Sequence, residues 1–280
     1  CLYPTSWAAR LAAARHRRPY LLTQHVGLVR HPSALVRGVQ HGVYGTAGRA
    51  LLRGARAVIT LNASVADFAR AHGARPERMR HLANGVDTAL FRPAAGAGER
   101  ALARKRLGLP ADRALVLFVG RPVPKKGYDL LLRAAGPGRE LVVAGEPGPA
   151  APGVHQLGPL PPERLAEAYR ACDVFALPST AEGFPLTVQE AMASGLPVVT
   201  TDDPGYAPYG LDREGVALLP RDAGALRREL DALAGDENRR ARMGLYAREY
   251  ATRAFSWEEH VSALVRYYRE ALGGEGADAR

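Results

Sequence analysis

Short apolar runs alternate with helix-length amphipathic stretches through the second half of the chain. Residues 115–119 (Leu-Val-Leu-Phe-Val) close on Gly120, and a helical stretch over 128–135 follows. The run 141–144 closes on Gly145; a helix over 163–171 leads to the run 174–177, and a helix over 185–194 to the run 197–200. Runs without alternation belong to strands buried on both faces, and helices between them imply a parallel sheet covered on both sides. Ligands of such sheets bind beyond the carboxyl ends of the strands. The chemistry is therefore expected just after Val119, Ala144, Leu177 and Thr200.

The first half carries fewer units. Strands are expected at 20–23, 57–61 and 80–82, with helices at 43–52 and 63–72. A doubly wound domain ordinarily takes roughly 100–150 residues, so this half is expected to lack its first part. Pro93-Ala94-Ala95-Gly96-Ala97-Gly98 reads as a small-residue linker between the halves. It also spells Gly96-x-Gly98-x-x-Ala101, but no strand precedes it, and a dinucleotide fingerprint needs one. The last segment, 257–271, reads as an amphipathic helix opened by a capping box, Ser256 with Glu259. The expected division is 1–95, 96–255 and 256–280.

Composition narrows the class. The 280 residues, 47% hydrophobic and 24% charged, make an ordinary globular chain, and no apolar run is long enough to span a bilayer. Cys1 stands where a Met would open a chain, which implies a fragment or a processed product. Two cysteines make neither a disulfide framework nor a zinc cluster, and Cys172 lies in an apolar stretch as a small hydrophobe. The eight histidines show no metal-ligand spacing. The net charge of +10 comes mostly from arginines dispersed over helices, without a basic block. That pattern argues against nucleic acid and leaves an anionic lipid surface as a secondary partner.

Two loops carry candidate chemistry. In Gly120-Arg121-Pro122-Val123-Pro124-Lys125-Lys126-Gly127, Arg121 and Lys126 are placed to neutralise phosphates, a fork and a point charge respectively. Lys126 is preferred to Lys125 because it borders the glycine that turns the chain into the next helix. In Pro178-Ser179-Thr180-Ala181-Glu182-Gly183-Phe184-Pro185-Leu186-Thr187-Val188-Gln189-Glu190, a strand ends, a loop carries Glu182, and a helix is expected to begin with Pro185 as its first residue. The amides of Leu186 and Thr187 then form an anion site. Glu190 lies on that helix, about 7.5 Å along its axis. Two carboxylates flanking a diphosphate site suit a nucleotide sugar, with a hexose at one end and a ribose at the other. Taken singly, either glutamate is as well read as a solvated helix-end acid.

These motifs, with Asn84-Gly85-Val86-Asp87 and Phe91 and the closing Phe255-Ser256-Trp257, resemble glycosyltransferase family four over residues 20–270. The resemblance implies an α/β GT-B fold of two Rossmann-like parallel-sheet domains, the N-terminal one incomplete, with the last helix crossing back to it. It implies a retaining enzyme moving a hexose from a nucleotide-diphosphate sugar to a glycan, glycolipid or other hydroxyl acceptor, without metal or other cofactor. Gly120, Arg121, Lys126, Gly183, Phe184, Leu186, Thr187 and Glu190 would bind the donor, with Glu190 on the ribose and Glu182 on the sugar hydroxyls. Thr23-Gln24-His25 is similar to the family's histidine loop, which would put His25 at the reacting sugar; the alternative is a loop histidine bonded to backbone. The expected setting is cytoplasmic, with peripheral contact at the inner membrane face. Two departures stand out: the family's opening glycine-rich loop is absent, and Asp202-Asp203-Pro204-Gly205-Tyr206-Ala207-Pro208 replaces its paired glycines. A catalytically inactive nucleotide-sugar-binding domain, or an epimerase or hydrolase on the same fold, are the alternatives. Asn84 and Asp87 also read simply as turn residues, Tyr267-Tyr268 as packing, and Asn62-Ala63-Ser64 as a chance sequon.

Overall fold

A computed structural model describes residues 4–27, 33–180 and 182–273; Cys1 and Ala181 lie outside them. Contacts divide the chain into two units, Cys1–Asn84 with Pro204–Pro208 and Glu258–Arg280, and Gly85–Asp203 with Tyr209–Trp257.

The first unit runs α1 (Pro4–Arg15), β1 (Leu21–Gln24), α2 (Ala34–Val43), α3 (Arg49–Gly54), β2 (Ala57–Thr60), α4 (Ala63–Ala71) and β3 (Met79–His81). Its strands form a parallel sheet in the order β1-β2-β3. A π-helical turn, Tyr44–Gly48, joins α2 to α3, so the expected helix at 43–52 is the later part of a longer helical stretch. Leu22, Leu51, Leu52, Ala55, Val58, Ala69 and Ala74 make the core, with Trp7, Tyr20 and Met79 against it. Asn62 of the sequon is buried and caps α4, its Oδ1 accepting from Val65 N at 2.7 Å.

The second unit runs α5 (Ala97–Leu107), β4 (Ala114–Val119), α6 (Tyr128–Arg133), β5 (Arg139–Ala144), β6 (Val154–Gly158), α7 (Pro162–Ala171), β7 (Val174–Leu177), α8 (Leu186–Ala193), β8 (Val198–Thr201), β9 (Val216–Leu219), α9 (Ala223–Gly235) and α10 (Glu237–Ala254). All six strands are parallel, in the order β6-β5-β4-β7-β8-β9. Leu115, Leu117, Phe118, Phe175 and Leu177 are fully buried in the central strands, each contributing about 1.5–3 kcal/mol by leaving water. The order reverses beside β4, where chain connections leave to opposite sides and open a crevice at the carboxyl ends.

Pro93-Gly98 is not a free linker. Glu99 ties it down, accepting from Arg92 at 2.8 and 3.0 Å and from Ala95 N at 2.7 Å. Glycine-rich composition gave way here to a local ion pair at a helix start. The chain enters this unit at Val86, whose N–H donates to Phe255 O at 2.7 Å. Asp87 is the turn residue expected of it, its Oδ1 accepting from Ala89 N and Leu90 N.

The last helix, α11 (Trp257–Leu272), falls from Glu258 onward in the first unit. There Tyr267 donates to His81 O at 3.0 Å and His260 bonds Ala83 O at 2.7 Å. Tyr267 is buried and packs as expected, whereas Tyr268 is exposed. Among the described residues, no helix is long and apolar enough to cross a membrane.

Candidate functional site

The two motif loops meet at the carboxyl ends of β4 and β7, and Gly127 is where they touch. Its φ is +73°, and a Cβ there would lie 2.2 Å from Pro178 O. Only glycine takes this backbone shape cheaply and leaves room for the facing carbonyl. Thr180 N donates to Lys125 O at 2.9 Å, a second stitch between the loops. Lys126 Nζ consequently reaches Glu182 Oε1 at 3.2 Å, and Lys125 Nζ reaches the same oxygen at 3.6 Å. Lys126 is the more enclosed, its side chain 22% exposed against 53% for Lys125. Arg121 is exposed and makes no side-chain hydrogen bond or ion pair among the described residues. Gly120 is held to the neighbouring strand end, its N–H donating to Ala144 O at 2.9 Å.

The helix after the second loop starts one residue later than expected. Pro185 is the N-cap, with extended φ −61° and ψ 130°, and Leu186 opens α8. Val188 N and Gln189 N both turn back to Pro185 O, at 3.0 and 3.3 Å. The amides of Leu186 and Thr187 keep no acceptor among the described residues, as every helix start leaves its first N–H groups. Thr187 Oγ1 is likewise buried without a hydrogen-bond partner. Gly183 sits in the bend before them, partly buried. Phe184 points inward, stacked on Tyr209 at 4.1 Å and tilted against Phe255 at 5.5 Å. Its ring anchors the loop, and only its backbone is available to a ligand.

Glu190 is 8% exposed, and burial pushes its carboxyl up to about 7. The opposing influence is a hydrogen bond from Tyr169, whose hydroxyl lies 2.8 Å from Glu190 Oε2. The residue pattern singles out neither Tyr169, which supports Glu190 from behind the site, nor the buried, unpartnered hydroxyl of Ser179. Tyr169 sits in an ordinary amphipathic helix, and Lys125, the less favoured lysine of the motif, joins Lys126 at Glu182.

His25 lies on the first unit, exposed, in the turn after β1. That turn is held by Gln24, which is buried and donates to Val26 O at 2.6 Å and to Tyr44 Oη at 3.2 Å. Cys172 is buried and free, and burial pushes its thiol up. Among the described residues, no cluster of His, Cys, Asp or Glu could hold a metal ion. A separate cavity of about 300 Å³ opens at the amino ends of β4, β5 and β6 and includes none of the motif residues.

Two α/β units with parallel sheets, one carrying a cationic strand-end loop beside an open helix start, have the architecture of the GT-B glycosyltransferases. The comparisons agree. The chain belongs to the glycosyl transferases group 1, whose family pattern matches residues 99–250, and the Glycosyltransferase Family 4 pattern matches residues 2–90. It is similar to the D-inositol 3-phosphate glycosyltransferase of Acidothermus cellulolyticus, 37% identical over 72% of this chain and 50% of that protein. The chain thus spans about half the length of the curated relatives it matches. Among solved structures it resembles the sucrose-phosphate synthase of Thermosynechococcus elongatus, with TM-score 0.79 and 25% identity over 96% of this chain and 71% of that one. The Anabaena protein HepE, solved in complex with UDP and glucose, shares the fold at TM-score 0.76 and 21% identity, covering 93% of this chain and 74% of its own.

Proposed function

We propose that this chain is the donor-binding part of a retaining glycosyltransferase, moving a hexose from a nucleotide-diphosphate sugar to a hydroxyl acceptor without metal or other cofactor. One observation carries the reading: beyond the carboxyl ends of β4 and β7, Lys126 pairs with Glu182 in the loop that leads into α8, whose first amides have no acceptor among the described residues. Lys126, Arg121 and those amides stabilise the departing diphosphate, as preorganised donors do for developing negative charge. Glu182, already the partner of both lysines, turns to the sugar hydroxyls when the diphosphate takes over the cations. Glu190 accepts from the ribose hydroxyls, and His25 acts on the acceptor side. The acceptor is a glycan, a glycolipid or another hydroxyl compound; the name of the Acidothermus relative puts a phosphorylated cyclitol first among those to try. We place the reaction in the cytoplasm, in peripheral contact with anionic lipid.

The test is calorimetric titration with UDP-, GDP- and ADP-sugars, followed by product analysis with and without acceptors. Binding of one donor with acceptor-dependent product supports the proposal. Binding without turnover would make the chain a nucleotide-sugar-binding unit. Free sugar or an epimer formed without acceptor would make it a hydrolase or epimerase. Binding of no donor would overturn the reading.

A further inference from the structure

Tyr169 lies behind the site rather than in it. It is fully buried on α7, with Phe91 edge-on at 5.7 Å and Phe175 tilted at 5.9 Å. Among the described residues its hydroxyl bonds only to α8, 2.8 Å from Glu190 Oε2 and 3.1 Å from Thr187 O. A phenol carries one proton and can donate to one of these acceptors at a time. An ionised carboxylate is the stronger acceptor and takes it. A protonated Glu190 would instead donate to the phenol oxygen and release the phenol proton to Thr187 O. Glu190 Oε1 makes no hydrogen bond within the described residues and is the oxygen left for a ligand.

We propose that Tyr169 is a positioning residue for donor recognition: its hydroxyl fixes one oxygen of Glu190 from beneath α8 and so presents the other, ionised, to the ribose hydroxyls. The proposal rests on the donor reading above. Among the described residues, other elements packed on α8 offer Glu190 no hydrogen-bonding side chain. β7 and β8 carry no titratable side chain. On α10, Arg248 bonds Ala193 O at the far end of the helix, together with Thr88 O and Phe91 O, and Tyr250 bonds Tyr209 O. Burial raises the Glu190 carboxyl while the Tyr169 hydrogen bond lowers it, so removing the hydroxyl moves the titration upward.

Tyr169→Phe keeps the ring and removes only the donor. The experiment measures affinity for the nucleotide sugar that the wild type binds, from pH 5.5 to 9, with KM and kcat alongside. Wild-type affinity should rise with pH as Glu190 ionises. In Tyr169→Phe the rise should come about one pH unit later, the worth of a charge-assisted hydrogen bond, leaving binding roughly fivefold weaker near pH 7 and approaching tenfold weaker towards pH 5.5. The gap should narrow towards pH 9, with kcat at saturating donor within about twofold, because a positioning effect on ground-state binding acts on KM. Glu190→Gln should remove the pH dependence. If Tyr169→Phe folds poorly, 3-fluorotyrosine at position 169, a stronger donor, should move the rise to lower pH. A Tyr169→Phe profile that superimposes on the wild type, or a loss equal at every pH and shared with kcat, overturns the proposal while Glu190→Gln still weakens binding. Absence of donor binding by the wild type overturns the functional reading and this proposal together.

Discussion

Glu182 and Glu190 stand on one strand–loop–helix segment, yet their surroundings are opposite. Glu182 sits in a loop beside two lysines on flexible stems, at 3.2 and 3.6 Å. Glu190 sits in a helix, nearly out of water, held among the described residues by one neutral donor, Tyr169. A carboxylate paired with mobile cations can change partners as a ligand arrives. A buried carboxylate with one fixed neighbour keeps its geometry, and its charge becomes the variable. Under the proposed function, the adaptable partner would meet the end of the donor where bonds change and the rigid one the end that is only recognised.

The comparison breaks most completely if the two loops are pulled apart. Gly127→Ala puts a methyl group into Pro178 O and a non-glycine residue at φ +73°. It should cost about 3 kcal/mol or more, read from urea unfolding midpoints, and should abolish donor binding in whatever fraction folds.

The next effect isolates Glu190. Its carboxyl is raised from 4.5 to about 7, so the folded chain holds the proton more tightly than the unfolded chain does. Stability should therefore fall as pH climbs from about 4.5 to about 7 and level off above. Glu190→Gln escapes that penalty. It should be more stable than the wild type at pH 8, by up to about 3 kcal/mol, with the advantage gone below pH ~4.5. Melting temperatures across pH would check the sign; a variant less stable at pH 8 would contradict it. The same variant should bind donor more weakly, so stability and function separate at one residue.

Smaller effects sharpen the Glu182 side. Lys126→Ala should weaken nucleotide-sugar binding by roughly 30-fold, about 2 kcal/mol for a lost charge-assisted contact. Lys125→Ala should change it less than about threefold, because its side chain is half exposed and water screens it. Equal losses in a calorimetric titration would remove the distinction between the two lysines.

Much of this was legible in the residues, for a physical reason. β4 and β7 read as unbroken apolar runs, β5 carries one over 141–144 after Arg139 and Glu140, and β8 one over 198–199; the glycines after β4 and β5 mark their carboxyl ends. β6 is a half-buried edge strand, Val-His-Gln-Leu-Gly, whose polar residues hide its character. β9 follows a long irregular stretch and is only four residues. α1 buries no side chain among the described residues, so it has no apolar stripe to read. α5 begins in Ala-Gly-Ala-Gly and is fixed by Arg104, which bonds Asp173 at 2.7 Å and Ala171 O at 2.9 Å, a long-range pairing invisible to local pattern. The Tyr169–Glu190 contact is of the same kind. Spacing shows that Glu190 follows Glu182; it does not show what lies beneath it.

The account turns on Glu190 titrating near neutrality and answering to the donor. The most direct measurement is its side-chain carboxyl ¹³C resonance, assigned by its absence in Glu190→Gln and followed against pH with and without saturating nucleotide sugar. The account predicts a midpoint near 7 in the free protein and a lower one when ribose hydroxyls donate to the carboxylate. A midpoint near 4.5 in the free protein, or one that the nucleotide sugar leaves unmoved, would contradict it.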